Sequence, residues 1–422
     1  MIDINLIRQD PAVVKKNAVR RGKKELVSVI DELIKNDISY RKYKVQAEKL
    51  RQTRNDLTEE IRRLKKEGKD VKRLIKEAAD VPEKIKEIEE KLSELEGKIN
   101  YSLSILPNML DNDVPDGKDS NDNKEIKTFG KKIKFDFEPK PHWELGEKLG
   151  IIDMERATKL AGAGFYVLKG KGAMLQRALI NFMIDFHVRN GYTEINPPQI
   201  VNKKTVFSSG HLPKFETEMY KTSEEFYLIP TAEVPVTSLH ADETFDSKEL
   251  PKYYVSFTEC YRTERGHHGA ETRGIFRLHQ FEKVEMVKFV NPSKSYDELE
   301  DMTRRAEKLL ELLNLPYRTI LLCSGDTGFA SAKTYDIEVW SGASGRYLEV
   351  SSCSNCTDFQ ARRMKTKFRD GVESKYIHTL NGSGLALPRL MIAIIENYQQ
   401  KNGSIKIPDI LIPYTGGIKE IK

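Results

Sequence analysis

A repeat of apolar residues every three or four positions, kept on both sides of one short polar turn, constrains the fold of this 422-residue chain more than any other feature. Before the turn the repeat consists of Tyr40, Tyr43, Ala47, Leu50, Leu57, Ile61 and Leu64, with Arg54 at one of its positions. After the turn it consists of Val71, Leu74, Ala78, Val81, Ile85, Ile88, Leu92, Leu95 and Ile99. Such spacing indicates helices that pack along a seam, and a turn as short as "KKEGKD" makes them antiparallel. The sequence therefore predicts an antiparallel coiled-coil hairpin over about residues 30–100.

Pro82 interrupts the second half of this repeat. A proline inside a helix removes one backbone hydrogen bond and clashes with the preceding turn. We therefore expect a kink or a local break of the second helix at Pro82.

The charges of the two predicted helices differ. Residues 41–76 contain fourteen Lys or Arg against six Asp or Glu, a balance of +8, whereas residues 77–100 contain four against eight, a balance of −4. A long arm with a basic face and tip could bind a phosphate backbone. A coiled coil that serves only as a structural support, with its charges in solvent, is the alternative.

The composition is that of a charge-rich cytoplasmic protein. Charged residues make up 32% of the chain, hydrophobic residues make up 39%, and the net charge is +6. We identify no signal peptide and no apolar stretch near the roughly 18 residues of a membrane span. Four cysteines in a chain of this length predict free thiols and a reducing compartment.

The pattern changes after a linker, "SILPNMLDNDVPDG", that is rich in Pro, Asp and Asn. Strand-like segments such as "KYYVSFTECYRTE" and "GIFRLHQFEKVEMVKF" follow, but they do not alternate regularly with helices. We therefore predict an α+β protein with two domains. Residues 1–110 would contain the helical hairpin, and residues 111–422 would form an antiparallel sheet flanked by helices.

The segment from Cys260 to Met286 carries an ordered set of charges within a predicted β-hairpin. Arg262 and Glu264 would share one face of the incoming strand, since residues two apart in a strand point the same way. On the outgoing strand the shared face would carry Arg277, His279, Phe281, Lys283 and Glu285. Guanidinium groups pair with phosphate, a phenyl ring stacks on a base, and a carboxylate accepts from an amine or ammonium. This combination favours a site for a nucleotide beside an amino acid.

Two other interpretations of this segment are open. The charges could form a surface ladder of cross-strand ion pairs. Alternatively, His267, His268 and His279 could bind a metal, although adjacent histidines lack a standard zinc spacing. "CSNC", from Cys353 to Cys356, is likewise a weak zinc signal, with only Cys260 and Cys323 left to complete it.

Motifs along nearly the whole chain resemble those of the seryl-tRNA synthetases, a branch of the class II aminoacyl-tRNA synthetases. "GYTEINPPQIV", with Pro198, resembles the first class motif; "CYRTE…TRGIFRLHQFEKVE" resembles the second; "GSGLALPRL", with Arg389, resembles the third. "LIPTAEVPVT", "LEVSSCSNCTDFQARR", "SSGHLPKF" and "TLNGSG" are similar to elements of the serine branch.

The resemblance implies a homodimeric serine–tRNA ligase that activates L-serine with ATP and Mg²⁺ and then acylates the 3′ end of serine tRNA. It leaves open whether the selenocysteine tRNA is also charged. The catalytic residues implied are Arg262 and Arg389. The ATP site implied consists of Arg262, Thr263, Glu264, Arg277, Phe281, Glu349, Val350, Ser351, Ser352 and Arg389, with Glu349 and Ser352 beside Mg²⁺. The serine site implied consists of Thr231, Ala232, Glu233, Glu285 and Ser383.

Two other functions remain as alternatives at this point. A related ligase could load an activated amino acid onto a carrier protein, but such relatives lack the long arm. A synthetase-like domain without activity could serve only in binding, but this would be marked by loss of a motif arginine or of "TAE", and all of these are present.

Overall fold

The structure is a computed structural model that describes residues 1–264 and 273–422. Its α-helices are α1 (Ile4–Gln9), α2 (Pro11–Arg20), α3 (Leu26–Lys66), α4 (Lys72–Ile105), α5 (His142–Lys148), α6 (Met154–Ala161), α7 (Lys171–Arg189), α8 (Lys203–Ser208), α9 (Glu233–Ser238), α10 (Ser295–Leu312), α11 (Phe359–Met364) and α12 (Leu387–Asn397). Its strands are β1 (Lys124–Phe129), β2 (Ile152–Asp153), β3 (Val167–Leu168), β4 (Thr193–Glu194), β5 (Ile200–Val201), β6 (Tyr227–Leu228), β7 (Thr244–Asp246), β8 (Lys252–Tyr261), β9 (Gln280–Val290), β10 (Tyr317–Leu321), β11 (Lys333–Ser341), β12 (Arg346–Asn355), β13 (Lys367–Asp370), β14 (Glu373–Tyr376), β15 (His378–Ala386), β16 (Ile405–Lys406) and β17 (Glu420–Ile421).

The chain forms two compact units. The smaller unit comprises residues 2–19 and 23–106, and the larger comprises residues 1, 20–22 and 107–422. The larger unit contains the extended sheet, and the smaller contains the two longest helices.

The predicted helical hairpin is confirmed in the smaller unit. Helices α3 and α4 pack against each other and are joined by a turn at Gly68, whose φ of +70° a side chain would disfavour. Leu57, Val81 and Ile85 form a buried cluster between the helices. The remaining apolar positions of the predicted repeat are buried or half-buried, whereas Arg54 is exposed. The heptad pattern thus identified the seam correctly.

The expected break at Pro82 is wrong, because α4 continues through it from Lys72 to Ile105. Apolar contacts hold the helix on both sides of the proline, with Leu74 and Ala78 before it and Ile85 after it. Packing of this kind can offset the roughly 3 kcal/mol that a proline costs within a helix. A kink at Pro82 stays a prediction.

The larger unit is organised around an eight-stranded sheet of order β1-β10-β11-β12-β15-β9-β8-β4. All neighbouring strands pair antiparallel, except that β4 pairs parallel with β8. Helices α7, α10 and α12 pack on the sheet around one large apolar cluster. The predicted antiparallel sheet with flanking helices is therefore confirmed.

Along the central strand β9, alternate side chains point into the apolar core and into a pocket. Val284 and Met286 of β9 are fully buried in the apolar cluster, whereas Phe281, Lys283 and Glu285 line a pocket. Within the described residues, no helix is both long enough and apolar enough to cross a membrane.

Candidate active site

A cavity of about 450 Å³ lies over β8, β9, β12 and β15 of the larger unit. Twelve of the fifteen residues predicted for the site line it. They are Thr231, Glu233, Arg262, Glu264, Arg277, Phe281, Glu285, Glu349, Val350, Ser352, Ser383 and Arg389. Residues that are far apart in the sequence therefore meet in one concave surface, as ligand sites commonly require.

Arg262 follows β8 directly, and its guanidinium carbon lies 5.0 Å from the centre of the Phe281 ring. Its Nε donates to the backbone oxygen of Pro230 at 3.3 Å. No carboxylate among the residues that the structure describes lies within ion-pair distance of this guanidinium. Arg262 is thus held by a ring and a carbonyl, and its charge is available to an anion.

The predicted outgoing strand begins later than expected. β9 starts at Gln280, so Arg277 and His279 precede it instead of sharing its face. Arg277 still lines the pocket, whereas His279 stacks on Phe165, with ring centres 5.3 Å apart. The predicted incoming strand likewise ends early, at Tyr261, so Arg262 and Glu264 follow β8 and do not share a strand face. The last cross-strand pair is Tyr261 with Gln280, where the ladder ends.

Glu264 and Arg277 form an ion pair of 2.5 Å at one side of the pocket. Glu264 adopts a φ of +47°, which is uncommon for a residue with a side chain. Local strain of this sort is frequent at binding sites, where surrounding contacts hold it in place. His267 and His268, the other histidines of the metal alternative, lie outside the described residues.

Arg389, near the start of α12, lies against β12. Its Nη1 donates to the Glu349 backbone oxygen at 2.8 Å and lies 3.5 Å from that residue's carboxylate. The guanidinium carbon is 4.8 Å from the centre of the Phe276 ring, which Arg346 approaches from 4.6 Å. Phe276 is therefore an aromatic contact in the pocket that our sequence analysis did not identify.

The deep end of the pocket is lined by two carboxylates in different environments. Glu285 pairs with Lys283 at 2.6 Å, and both side chains are more than nine-tenths buried. Glu233, at the start of α9, accepts through one oxygen from Gln360 at 2.7 Å and from Asn381 at 3.0 Å. Burial and the neighbouring Glu285 raise the pKa of Glu233 from 4.5 to about 7. Glu285 thus has a lysine as its ion-pair partner, whereas Glu233 accepts hydrogen bonds from neutral amides.

Three predicted residues do not line the pocket. Ser351 points to the other side of β12 from Ser352, as alternation requires, and donates to the Ser383 backbone oxygen at 2.6 Å. Thr263 donates to the Thr217 backbone oxygen at 3.1 Å, and Ala232 packs in a separate buried cluster.

The pocket also contains residues to which the sequence assigned no role. Lys283, which the predicted alternation places on the face of Glu285, lines the pocket, and Asn381 has the parity of Ser383 on β15, a signal that could have identified it. Phe276 lies outside the strand, where no periodicity marks it. His211 belongs to "SSGHLPKF", which was noted only as a resemblance.

Asp336 of β11 lies beside the pocket, in a neighbouring cavity whose lining also includes Glu349. Asp336 is paired across the strands with Ser352, and one of its carboxylate oxygens is buried without a hydrogen-bond partner among the described residues. Burial and the Glu349 carboxylate raise the pKa of Asp336 well above its usual range. A divalent cation would find the hard oxygen ligands that it prefers here.

The four cysteines are buried and form no disulfide. Burial raises the pKa of Cys353 to about 12, and Cys356 accepts from the Asn381 amide at 3.4 Å. Throughout residues 1–264 and 273–422, no three His, Cys, Asp or Glu side chains are grouped so that they could hold a metal ion.

Comparisons with known proteins match both regions of the chain. Residues 1–110 match the seryl-tRNA synthetase N-terminal domain family, and residues 214–398 match the class II tRNA synthetase core domain family for G, H, P, S and T. The serine–tRNA ligase of Thermodesulfovibrio yellowstonii is 50% identical, covering 99% of each chain. That of Methanosarcina barkeri is 47% identical, covering 100% of this chain and 99% of the relative.

Solved structures are similar over the same extent. The Pyrococcus horikoshii seryl-tRNA synthetase complexed with ATP has a TM-score of 0.95 at 39% identity, covering 100% of this chain and 99% of that one. The cytoplasmic serine–tRNA ligase of Naegleria fowleri in complex with AMP has a TM-score of 0.89 at 31% identity, with the same coverage.

The raised pKa of Glu233 predicts a specific pH dependence of stability. Because the folded protein holds this proton more tightly than the unfolded chain does, the contribution is complete below pH 4.5 and is lost as the pH rises through about 7. The loss in unfolding free energy should amount to at most about 3 kcal/mol. Glu233→Gln keeps the oxygen that accepts from Gln360 and Asn381 but cannot titrate, so it should abolish this loss.

Urea unfolding of both proteins at about pH 5 and pH 7.5 measures the difference. Other groups titrate equally in the two proteins, so their contributions cancel. Parallel pH dependence in the wild type and the variant would contradict the raised pKa.

Proposed function

The chain belongs to the seryl-tRNA synthetases, and we propose that the pocket over β8, β9, β12 and β15 is where it activates serine. As a serine–tRNA ligase, it converts serine and ATP to seryl-adenylate and pyrophosphate and transfers the seryl group to serine tRNA. The meeting of twelve predicted site residues in one cavity supports this assignment most directly.

In the proposed complex, ATP lies along the outer part of the pocket. Its adenine stacks on Phe281, its exocyclic amine donates to Glu264, and Arg262 holds the α-phosphate. Arg277 and Arg389 flank the remaining phosphates. Arginine suits this role because its planar fork matches phosphate oxygens.

Serine would lie at the deep end, with its ammonium near Thr231 and Glu233 and its hydroxyl near Glu285 and Ser383. The serine carboxylate attacks the α-phosphorus. A new P–O bond forms as the bond to the bridging oxygen breaks, and pyrophosphate leaves. No base is required, since the carboxylate is already ionised. Positioning and charge stabilisation therefore account for the rate enhancement.

Mg²⁺ would be held by Glu349 and Ser352, next to the unpartnered oxygen of Asp336. The ion would supply positive charge to the triphosphate. Carboxylate and hydroxyl oxygens fit its preference for hard ligands.

Homodimer formation would use the first class motif, which includes the short edge strand β4. Apolar side chains near it are exposed: Ile200 by 56% and Val188 by 43%. Because tRNA charging serves translation, we assign the enzyme to the cytoplasm. Residues 1–110, with the basic α3 and the turn, would contact the tRNA.

ATP–pyrophosphate exchange, measured with each of the twenty amino acids, tests the proposed pocket function. Serine alone should support exchange, because Glu285 and Ser383 offer partners to its hydroxyl. Alanine lacks the hydroxyl that these buried polar groups would bind, which should reduce its use by roughly 10²-fold or more. Equal exchange with alanine, or none with serine, would contradict the proposal.

The basic charge of α3 predicts a salt-dependent contribution to tRNA charging. Replacing exposed Arg62, Lys65 and Lys66 with Gln should leave exchange unchanged but lower kcat/KM for tRNA. The slope of log(kcat/KM) against log[salt] should become shallower by up to about 2–3, if each residue contacts one phosphate. The matched control replaces three exposed lysines of the larger unit: Lys203, Lys248 and Lys419. Equal slopes for the two triple variants would indicate that the hairpin charges only interact with solvent.

A further inference from the structure

Part of the pocket wall is not used by either proposed small substrate. The proposed ATP contacts come from Arg262 and Glu264 after β8, from Arg277 and Phe281 around the start of β9, and from β12 and α12. The proposed serine contacts lie around α9 and the deep end. Residues of two other segments, 209–215 and 328–331, complete the lining. The third substrate of this enzyme, the tRNA 3′ end, must also reach the pocket, and this wall is what remains for it.

The backbone of this wall is fixed by a glycine. Gly210 has a φ of +93°, and a Cβ there would approach the Phe359 ring to 3.4 Å and Ala330 to 3.5 Å. The chain can therefore turn between Ser209 and His211, which places both side chains at the pocket.

The hydrogen bonds of Ser209 determine the tautomer of His211. Ser209 Oγ donates its only hydrogen to the Val206 backbone oxygen at 3.0 Å. While Ser209 donates to Val206, its contact of 2.9 Å with His211 Nδ1 is donated by the imidazole. In the neutral ring Nε2 is then an acceptor, and it has no hydrogen-bond partner among the residues described.

The surroundings keep this ring neutral. Burial, together with the positive charges of Arg262, Lys283 and Arg363, lowers the pKa of His211 to about 3. A group of this kind accepts a hydrogen bond but does not take up a proton near neutral pH. It therefore suits a hydroxyl that keeps its proton throughout the reaction.

We propose that His211 Nε2 accepts a hydrogen bond from the 2′-hydroxyl of the terminal ribose of the tRNA, and so orients the adjacent 3′-hydroxyl for attack on the seryl carbonyl of seryl-adenylate. The new ester bond forms as the carbonyl–phosphate bond breaks, and the departing AMP takes the 3′-hydroxyl proton on a phosphate oxygen. Phe215 lies four residues further along, with the Lys214 ammonium 5.2 Å from its ring centre. An aromatic ring with a nearby cation is a surface on which a terminal nucleotide can stack. The inference rests on the proposed location of ATP and serine in the same pocket.

Two variants of the full-length enzyme separate this role from simple anchoring of the loop. His211→Gln puts an amide near the position of Nε2, so it keeps an acceptor for the ribose but loses the bond to Ser209. His211→Asn puts an amide near the position of Nδ1, so it keeps that bond but loses the acceptor. Transfer from preformed seryl-adenylate should fall about 10-fold in His211→Asn and much less in His211→Gln, with serine-dependent exchange within a few-fold of wild type in both.

Transcripts that end in 2′-deoxyadenosine complete the test. The missing hydroxyl should slow transfer about 10-fold in the wild type and add little in His211→Asn, because both changes remove one hydrogen bond. Equal slowing in both enzymes would overturn the proposal. So would better transfer by His211→Asn than by His211→Gln, or a parallel loss of exchange and transfer, since either marks an anchor for the loop. Absence of serine-dependent exchange in the wild type would instead refute the proposed function.

Discussion

Alternation along β9 determines the chemistry of the pocket. Residues two apart point to the same side of a strand, so burying Val284 and Met286 in the core forces Phe281, Lys283 and Glu285 into the cavity. A shift of one residue in register would exchange the two sets and place the charged Lys283 and Glu285 in the apolar cluster. The register of β9 therefore determines both the core packing and the order of the charged side chains. The placement of these pocket side chains does not have to be specified separately from folding.

The pocket separates its charges instead of cancelling them. Glu285 is neutralised by Lys283 at 2.6 Å, and Arg277 is neutralised by Glu264 at 2.5 Å. Arg262 has no ion pair among the described residues, and Glu233 is held by neutral amides. One end of the pocket thus offers the Arg262 guanidinium, which has no ion-pair partner among the described residues. The other end offers the Glu233 carboxyl, which is costly to ionise. An α-phosphate and an ammonium would supply the missing partners, so substrates complete an electrostatic arrangement that is already built.

Much of this architecture could be predicted from the sequence, and the failures have physical causes. The heptad repeat located the α3–α4 seam, because apolar spacing in a coiled coil directly reflects contact. Strand alternation predicted the side-chain directions correctly within the paired part of β9. It failed at Arg277 and His279, because β9 starts only at Gln280. Helix propensity predicted a break at Pro82 that does not occur, since packing on both sides of the proline holds α4 together. Phe276 and His211 lie in irregular segments, and their placement depends on contacts distant in sequence that no local pattern encodes.

We infer that the charged side chains around the end of β8 and the start of β9 are ordered to bind a nucleotide, and Arg262 offers the most direct test. Single-turnover formation of seryl-adenylate should slow by roughly 10²–10³ in Arg262→Ala, and by less in Arg262→Lys, which keeps the charge without the planar fork. Thermal unfolding of the same variants should change little. If Arg262 served only as a surface charge, both variants would adenylate at the wild-type rate, and at most about 1 kcal/mol of stability would be lost. A folded Arg262→Ala protein that adenylates serine at the wild-type rate would contradict the proposed role of Arg262 in binding the nucleotide.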